Sequence, residues 1–280
     1  MTAMTWVLLR AALAAPLGSL DRLGRQLAFH GRTLAWLPRA VTRYRREVLR
    51  LLTEASFGTG ALAVIGGTVM IVTFMTFFTG LEVGIQGYRA LDSLGAAAYT
   101  GFVAAYFNTR EGAPLVAAVA LSATIGCGFT AQLGSMRISE EIDALEVSAV
   151  PSTAYLVSTR LVAGFLAVIP LYVLGLLSSF AATRMMATDV FGQSKGVYDH
   201  YFHLFLPPGD VLWSFGKALV FATIVILVHC YRGFHASGGP AGVGVAVGSA
   251  VRTVITAVVL VDLLIDLAVW GSNVTVVIAG

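Results

Sequence analysis

From Leu161 to Ala182 the sequence reads LVAGFLAVIPLYVLGLLSSFAA, 22 residues without a charge. A helix needs about 20 consecutive apolar residues to cross a bilayer, so such a run has few other destinations. Four more runs are comparable, at 57–81, 96–133, 211–231 and 251–270. Charged residues make up 12% of the 280-residue chain, about half the share in a soluble domain. Hydrophobic residues reach 57% and mean hydropathy is +0.83. The runs are continuously apolar and do not alternate, which argues against a β-barrel. The expected fold class is therefore an all-α polytopic membrane protein. Cys127 and Cys230 both lie within apolar runs, form no motif, and read as small buried hydrophobes.

Charge is distributed unevenly. Nine of the 18 basic residues, all arginines, precede Glu54. The opening MTAMTWVLLRAALAAP has no basic leader and is interrupted by Arg10, so it does not read as a secretory signal. Leu34, Leu37, Val41, Tyr44, Val48 and Leu51 recur at spacings of three and four, with Arg39, Arg43, Arg46 and Arg50 on the opposite face. That pattern predicts an amphipathic helix lying against anionic headgroups, with a solvated helix as the plain alternative. Either way the arginines place this end in the cytoplasm. Five spans then put the C-terminus outside, and the stretch after residue 133, Arg232 and the following Gly-rich loop inside. Residues 1–54 read as a basic N-terminal unit and 55–280 as the membrane unit. No internal repeat supports an inverted-repeat transporter.

Two interruptions stand out. NTREGAP, Asn108 to Pro114, breaks the second run and predicts a tilted or broken helix, tolerated at membrane depth only beside protein or a water-lined cavity. GSMRISEEIDALEVSAVPS then packs Glu140, Glu141, Asp143 and Glu146 into seven residues. Ser139 is expected as its N-cap, early carboxylates favour a helix N-terminus, and Pro151 is expected to end it. Ile138, Ile142, Leu145 and Ala149 share one side. A helix of about three turns over 139–149 follows, suited to docking on a soluble partner or to packing on its own spans. No His, Cys or metal-ligand set accompanies it, so an enzyme active site is not expected.

At this point the sequence resembles a family. AQLGSMRISEEIDALEVSAV is similar to the signature of the MlaE/YrbE permeases, membrane subunits of ABC systems that move lipids with MCE-domain proteins. GLEVGIQGYRAL, REGAPL and YRGFHASGGPAGVGVAVGSAVR extend the resemblance, in order, over nearly the whole chain. It implies a dimeric permease, each half with an interfacial N-terminal helix, five spans and a cytoplasmic coupling helix that engages an ATPase. Ser139, Glu140, Glu141, Asp143, Ala144, Leu145 and Glu146 would form that helix. No GxxxxGK[ST] motif occurs, which agrees with ATP and Mg bound by the partner ATPase and no cofactor on this chain. The implied partners are ABC ATPase subunits, a second permease, extracytoplasmic MCE proteins and a lipid, with no nucleic acid. The implied location is the bacterial cytoplasmic membrane. The glycines from Gly238 to Gly248 read as a turn plus small-residue packing, such as Gly244 with Gly248.

Ionisable residues at bilayer depth each call for an explanation. Arg110 and Glu111, adjacent in sequence, point to different sides of a helix, so contacts to other helices or a cavity are expected. The resemblance assigns them to the lipid-conducting interior. Asp262 and Asp266 share one face and would repel, so at least one is expected to be protonated or paired with a cation. They read as polar lining, with a proton relay as the sharper alternative. Many relatives carry Arg at the position of Thr124 and Glu at that of Gln132, and Ala113 replaces a Gly. These departures beside the pathway point to a heterodimer with a paralogous permease. His200 and His203, three apart, have ligand spacing, but their aromatic neighbours favour an interfacial belt or docking surface. The rival classes are a secondary transporter or channel, and a non-transporting scaffold of the MCE assembly.

Overall fold

A computed structural model describes residues 21, 23–57 and 67–271. Residues 1–20, the start of the first predicted span up to residue 66, and the tail from 272 lie outside the described residues. Within them the chain is helical, with no strand. Three short helices come first: α1 (23–35), α2 (Leu37–Arg43) and α3 (Arg45–Phe57). Four long helices follow, α4 (Gly67–Asp92), α5 (Ala97–Ile138), α7 (Thr153–Val190) and α9 (Pro208–Phe234), all long and apolar enough to cross a membrane. Between them stand two short helices, α6 (Glu141–Val147) and α8 (Lys195–Leu204). The C-terminal α10 (Gly239–Val269) has 31 residues and carries Arg252, Asp262 and Asp266.

The N-terminal stripe does not form one buried face. The helix bends at Trp36 and Tyr44, and the register of its faces changes at each bend. Val48 and Leu51 on α3 are buried against Ala163 of α7, whereas Leu34 and Val41 point outward. Arg39, Arg43, Arg46 and Arg50 are all exposed.

NTREGAP does not break α5. The helix widens to π geometry over Ala104–Gly112 and again over Ser122–Gly126. Pro114 has no N–H to offer the carbonyl of Arg110 four residues back. That carbonyl instead accepts a hydrogen bond from Lys217 Nζ on α9 (2.8 Å), and Ser214 Oγ donates to the neighbouring carbonyl of Thr109. Side chains of a second helix thus satisfy backbone groups that the widened turn leaves free.

The tight seam lies between α4 and α7. Thr76, Gly80 and Gly84 recur every four residues and face Gly175, Ser179 and Thr183 at the same spacing. A Cβ on Gly80 would stand 2.3 Å from the carbonyl oxygen of Ser179, so only glycine admits this approach. Asn108 Nδ2 donates to Thr183 Oγ1 (2.8 Å), which donates to the carbonyl of Gly80 (2.8 Å), tying α4, α5 and α7 together. Within the described residues of this chain, Gly244 and Gly248 do not pack against a second helix. Nothing in the described chain lies within 4 Å of a Cβ on Gly244, and Gly248 would meet only Arg252. On α10 the buried face is Ala246, Ala250, Val254, Val258 and Asp262, and those two glycines lie off it.

Candidate functional site

The first cluster joins the π segment of α5 to α9 and α10. Lys217 is fully buried. Its ammonium donates to Asp266 Oδ1 (2.6 Å) and lies 2.6 Å from Asp262 Oδ1 and 3.6 Å from Glu111 Oε1. Asp262 Oδ1 is buried and is held by this ion pair with the ammonium. One turn further out, Arg110 reaches Asp210 through Nε and an Nη atom (2.9 and 2.6 Å). Its guanidinium stacks on Tyr106 and Trp270, and Trp270 Nε1 donates to the second oxygen of Asp210 (3.2 Å). Arg110 and Glu111 do face different partners, as adjacency on a helix predicts. Asp262 and Asp266 are paired with a cation, and that cation is Lys217. The carboxylate oxygens of Glu111, Asp262 and Asp266 lie within 4.8 Å of one another, a cation-binding spacing, and the ammonium fills it.

The second cluster lines a cavity of about 480 Å³ between α3, α4 and α5, with Val247 of α10. Thr124 and Gln132 face it, beside Glu54 and Cys127. Thr124 sits in the second π segment and turns its hydroxyl back to the carbonyl of Ala120 (2.7 Å). Gln132 is a bridge: its amide nitrogen Nε2 donates to Glu54, and its Oε1 accepts from Arg160 (3.1 Å). Arg160 is buried at the base of α7, bonded to the carbonyl of Leu156 (2.8 Å) and packed over Phe129. Its Nε has no partner among the described residues. Behind the cavity His229 is enclosed between the hydroxyls of Ser122 (2.9 Å) and Thr130 (2.7 Å).

Between α5 and α7 stands the acidic helix, and its ends differ from expectation. It covers Glu141–Val147, two turns and not three. Ser139 is the C-cap of α5, not an N-cap: its hydroxyl returns to the carbonyl of Ser135 (2.9 Å) and also donates to Glu141 (2.9 Å). Glu140 takes the left-handed conformation (φ 61°) at the start of α6, which turns the chain sharply between the two helices. The helix stops before Pro151. Val150 N–H bonds the carbonyl of Leu145, Ala149 N–H that of Glu146, and Ala149 has φ 57°, a Schellman closure. Ile142 is fully buried and Leu145 packs on the core. Ile138 and Ala149 are exposed, so the predicted apolar side is narrower than its spacing implied. Glu140, Glu141, Asp143, Ala144 and Glu146 are exposed, and Val147 projects with 90% of its surface free. Arg137 holds Asp143 (2.7 Å), and Ser152 donates to Glu146 (2.7 Å).

His200 and His203 lie exposed on α8, within an aromatic set formed by Tyr99 with Tyr201, Phe102 with Phe205 and Phe180 with Phe202. Arg184 grips Asp199 with two hydrogen bonds of 2.7 Å and holds its carboxyl below the ordinary carboxylate range.

Sequence reasoning missed Lys217, Asp210, Trp270, Glu54 and Arg160. Lys217 was findable, because a lysine within an apolar span is itself an intramembrane charge.

The profile of the family described as Permease MlaE matches residues 57–268. A "Probable ABC transporter permease protein" of Rickettsia bellii is 27% identical over 63% of this chain and 68% of its own length. A "Probable ABC transporter permease protein slr1045" of Synechocystis is 30% identical over 65% of this chain and 69% of its own. Arabidopsis thaliana "Protein TRIGALACTOSYLDIACYLGLYCEROL 1, chloroplastic" is 30% identical over 60% of this chain, which spans about half (48%) of that relative. With the profile covering most of the helices and all but the edges of both clusters (Glu54, Ala55 and Trp270 lie outside it), this chain belongs to the MlaE permease family.

Proposed function

We propose that this chain is the transmembrane permease subunit of an ATP-driven lipid transporter, working with a separate ATPase, a second, paralogous permease and extracytoplasmic MCE proteins. It is not itself an enzyme, and ATP and Mg belong to the partner. α4, α5, α7, α9 and α10 are its five spans in a bacterial cytoplasmic membrane. The N-terminus is cytoplasmic, the C-terminus extracytoplasmic, and α1–α3 lie on the inner surface with Arg39, Arg43, Arg46 and Arg50 toward headgroups.

One observation carries this reading. The exposed acidic helix α6 stands between α5 and α7, joined to each by a short turn, and α5 alone carries Arg110, Glu111, Thr124 and Gln132. A push on Glu140, Glu141, Asp143 and Glu146 therefore reaches both the charge cluster and the cavity wall through one helix. Buried Ile142 passes the load into the core, and the Schellman closure passes it to α7. The Glu54–Gln132–Arg160 bridge then ties the wall of the cavity to α3 and α7. The cavity has an apolar lining and few charges, which suits an acyl chain, and the name of the Arabidopsis relative contains a diacylglycerol lipid. The polar Thr124 and Gln132 in place of charges support a paralogous partner supplying them. A channel or scaffold would not need α6. Replacing Glu140, Glu141 and Glu146 together by lysine tests the assignment: loss of ATPase co-purification and of lipid transport is expected. Full transport by that variant would overturn it.

A further inference from the structure

The bend between α2 and α3 creates a recess that the transport reading does not use. It has a volume of about 470 Å³ and is lined by Arg43, Arg45, Arg46 and Arg50, with Tyr44 and Tyr155 at its side. Tyr155 comes from the base of α7 and meets Tyr44 edge to face (5.2 Å between centroids). The recess therefore spans two elements, and one of them leaves directly from the acidic helix.

The charges are unequally matched. Arg50 is fixed by both oxygens of Glu47 (2.6 and 3.0 Å) and by Glu54 (3.1 Å). That grip holds the Glu47 carboxyl below its ordinary range. Among the described residues, Glu47 is the only carboxylate lining the recess. Among the described residues, no carboxylate lies within salt-bridge distance of Arg43, Arg45 or Arg46. Arg43, Arg45 and Arg46 thus line one recess with no carboxylate of the described residues paired to them, beside Arg50, which Glu47 and Glu54 hold. Guanidinium forks match the oxygens of a phosphate group, which accepts several such bonds at once. The surroundings distinguish a lipid phosphate from a soluble one. Leu34, Val41 and Leu49 are exposed on the same three helices, and Arg39 stacks on Trp36 (5.1 Å), an arrangement suited to the headgroup layer.

We infer that this recess binds the phosphate of an anionic glycerophospholipid from the surrounding leaflet, clamping α2–α3 to the base of α7. The inference rests on the reading that α1–α3 lie on the membrane surface. Its consequence is that the charge of the inner leaflet restrains the helix that α6 moves.

The test uses thermal unfolding of the full chain in neutral detergent, titrated with dihexanoyl phosphatidic acid, dihexanoyl phosphatidylcholine or inorganic phosphate. Phosphatidic acid is expected to raise the midpoint, and the other two to leave it unchanged at equal concentration. The R43Q/R46Q variant should bind phosphatidic acid roughly 10- to 30-fold more weakly, while R89Q, an exposed arginine at the far end of α4, should bind as the parent does. Unchanged binding by R43Q/R46Q, or an equal loss in R89Q, would overturn the site. Equal protection by inorganic phosphate would make it a soluble-anion site and overturn the lipid assignment. A bimane label on Leu34→Cys, with both native cysteines replaced, separates the underlying reading. Quenching by brominated lipid with no phosphatidic acid effect refutes the recess alone. No quenching refutes the surface position and the proposal together.

Discussion

Among the described residues two cationic side chains, Lys217 and Arg160, are buried, and they are housed in opposite ways. Lys217 sits among three carboxylates and a backbone carbonyl. Arg160 touches no carboxylate: a carbonyl, the amide of Gln132 and the face of Phe129 surround it, and one donor is idle. Charge held by charge in a low-dielectric interior is hard to move, because separating any member strands another. Charge held by neutral groups loses less when its neighbours shift. The Lys217 cluster is therefore a lock between α5, α9 and α10, and the Arg160 bridge is the compliant joint between α3, α5 and α7.

Substitutions that treat the two cations alike should separate them most clearly. Lys217→Met leaves Glu111, Asp262 and Asp266 without their cation and should destabilise the protein by about 3–5 kcal/mol, read as a lowered thermal midpoint in detergent. A loss below 1 kcal/mol would erase the contrast. Asp266→Asn keeps a hydrogen-bond acceptor and leaves Asp262 and Glu111 beside the ammonium, so its cost should be smaller, about 1–3 kcal/mol by the same measurement. Arg160→Met removes a buried charge that has no direct counter-ion and should stay within about 1 kcal/mol of the parent, since a well-packed apolar replacement is often neutral. Lipid transport by that variant should nevertheless fall, because the Gln132 bridge loses its anchor on α7.

The surface pair between α7 and α8 marks the lower limit. Arg184 holds the Asp199 carboxyl below its ordinary value, so the stabilisation is present above the unfolded carboxylate range near pH 4. It is lost as the pH falls below that range through the depressed folded value. Docking of α8, followed by hydrogen exchange, should thus be unchanged between pH 5 and 8 and loosen only in more acid solution.

The same contrast explains what could be read from the sequence. Spans are one-dimensional signals, and LVAGFLAVIPLYVLGLLSSFAA shows itself by length alone. NTREGAP is visible as a disturbance, but whether α5 breaks or widens depends on Ser214 and Lys217, which arrive from about 100 residues away. Asp262 and Asp266 announce a need for a cation without naming it. The seam of Thr76, Gly80 and Gly84 has a legible spacing, yet Gly244 and Gly248 have the same spacing and, among the described residues, no second helix against them. Small residues permit close approach and do not choose the partner. Ser139 is a good N-cap by type, but it falls one residue early because Glu140 takes the left-handed turn that separates α5 from α6. Arg160 and Glu54 lie at the ends of hydrophobic runs, where charges are common, so nothing in the sequence distinguishes them as a buried arginine and a half-buried glutamate bridged by an amide.

The central claim is that α6 receives force from an ATPase on the cytoplasmic side. Val147, the most exposed apolar side chain on that helix, is where to measure it. In a chain without its two native cysteines, Val147→Cys should form a crosslink to the ATPase subunit in the assembled complex, with a yield that changes between ATP- and ADP-bound states. Labelling of Val147→Cys by a membrane-impermeant reagent from outside, or a complex active in transport with no crosslink in either nucleotide state, would contradict it.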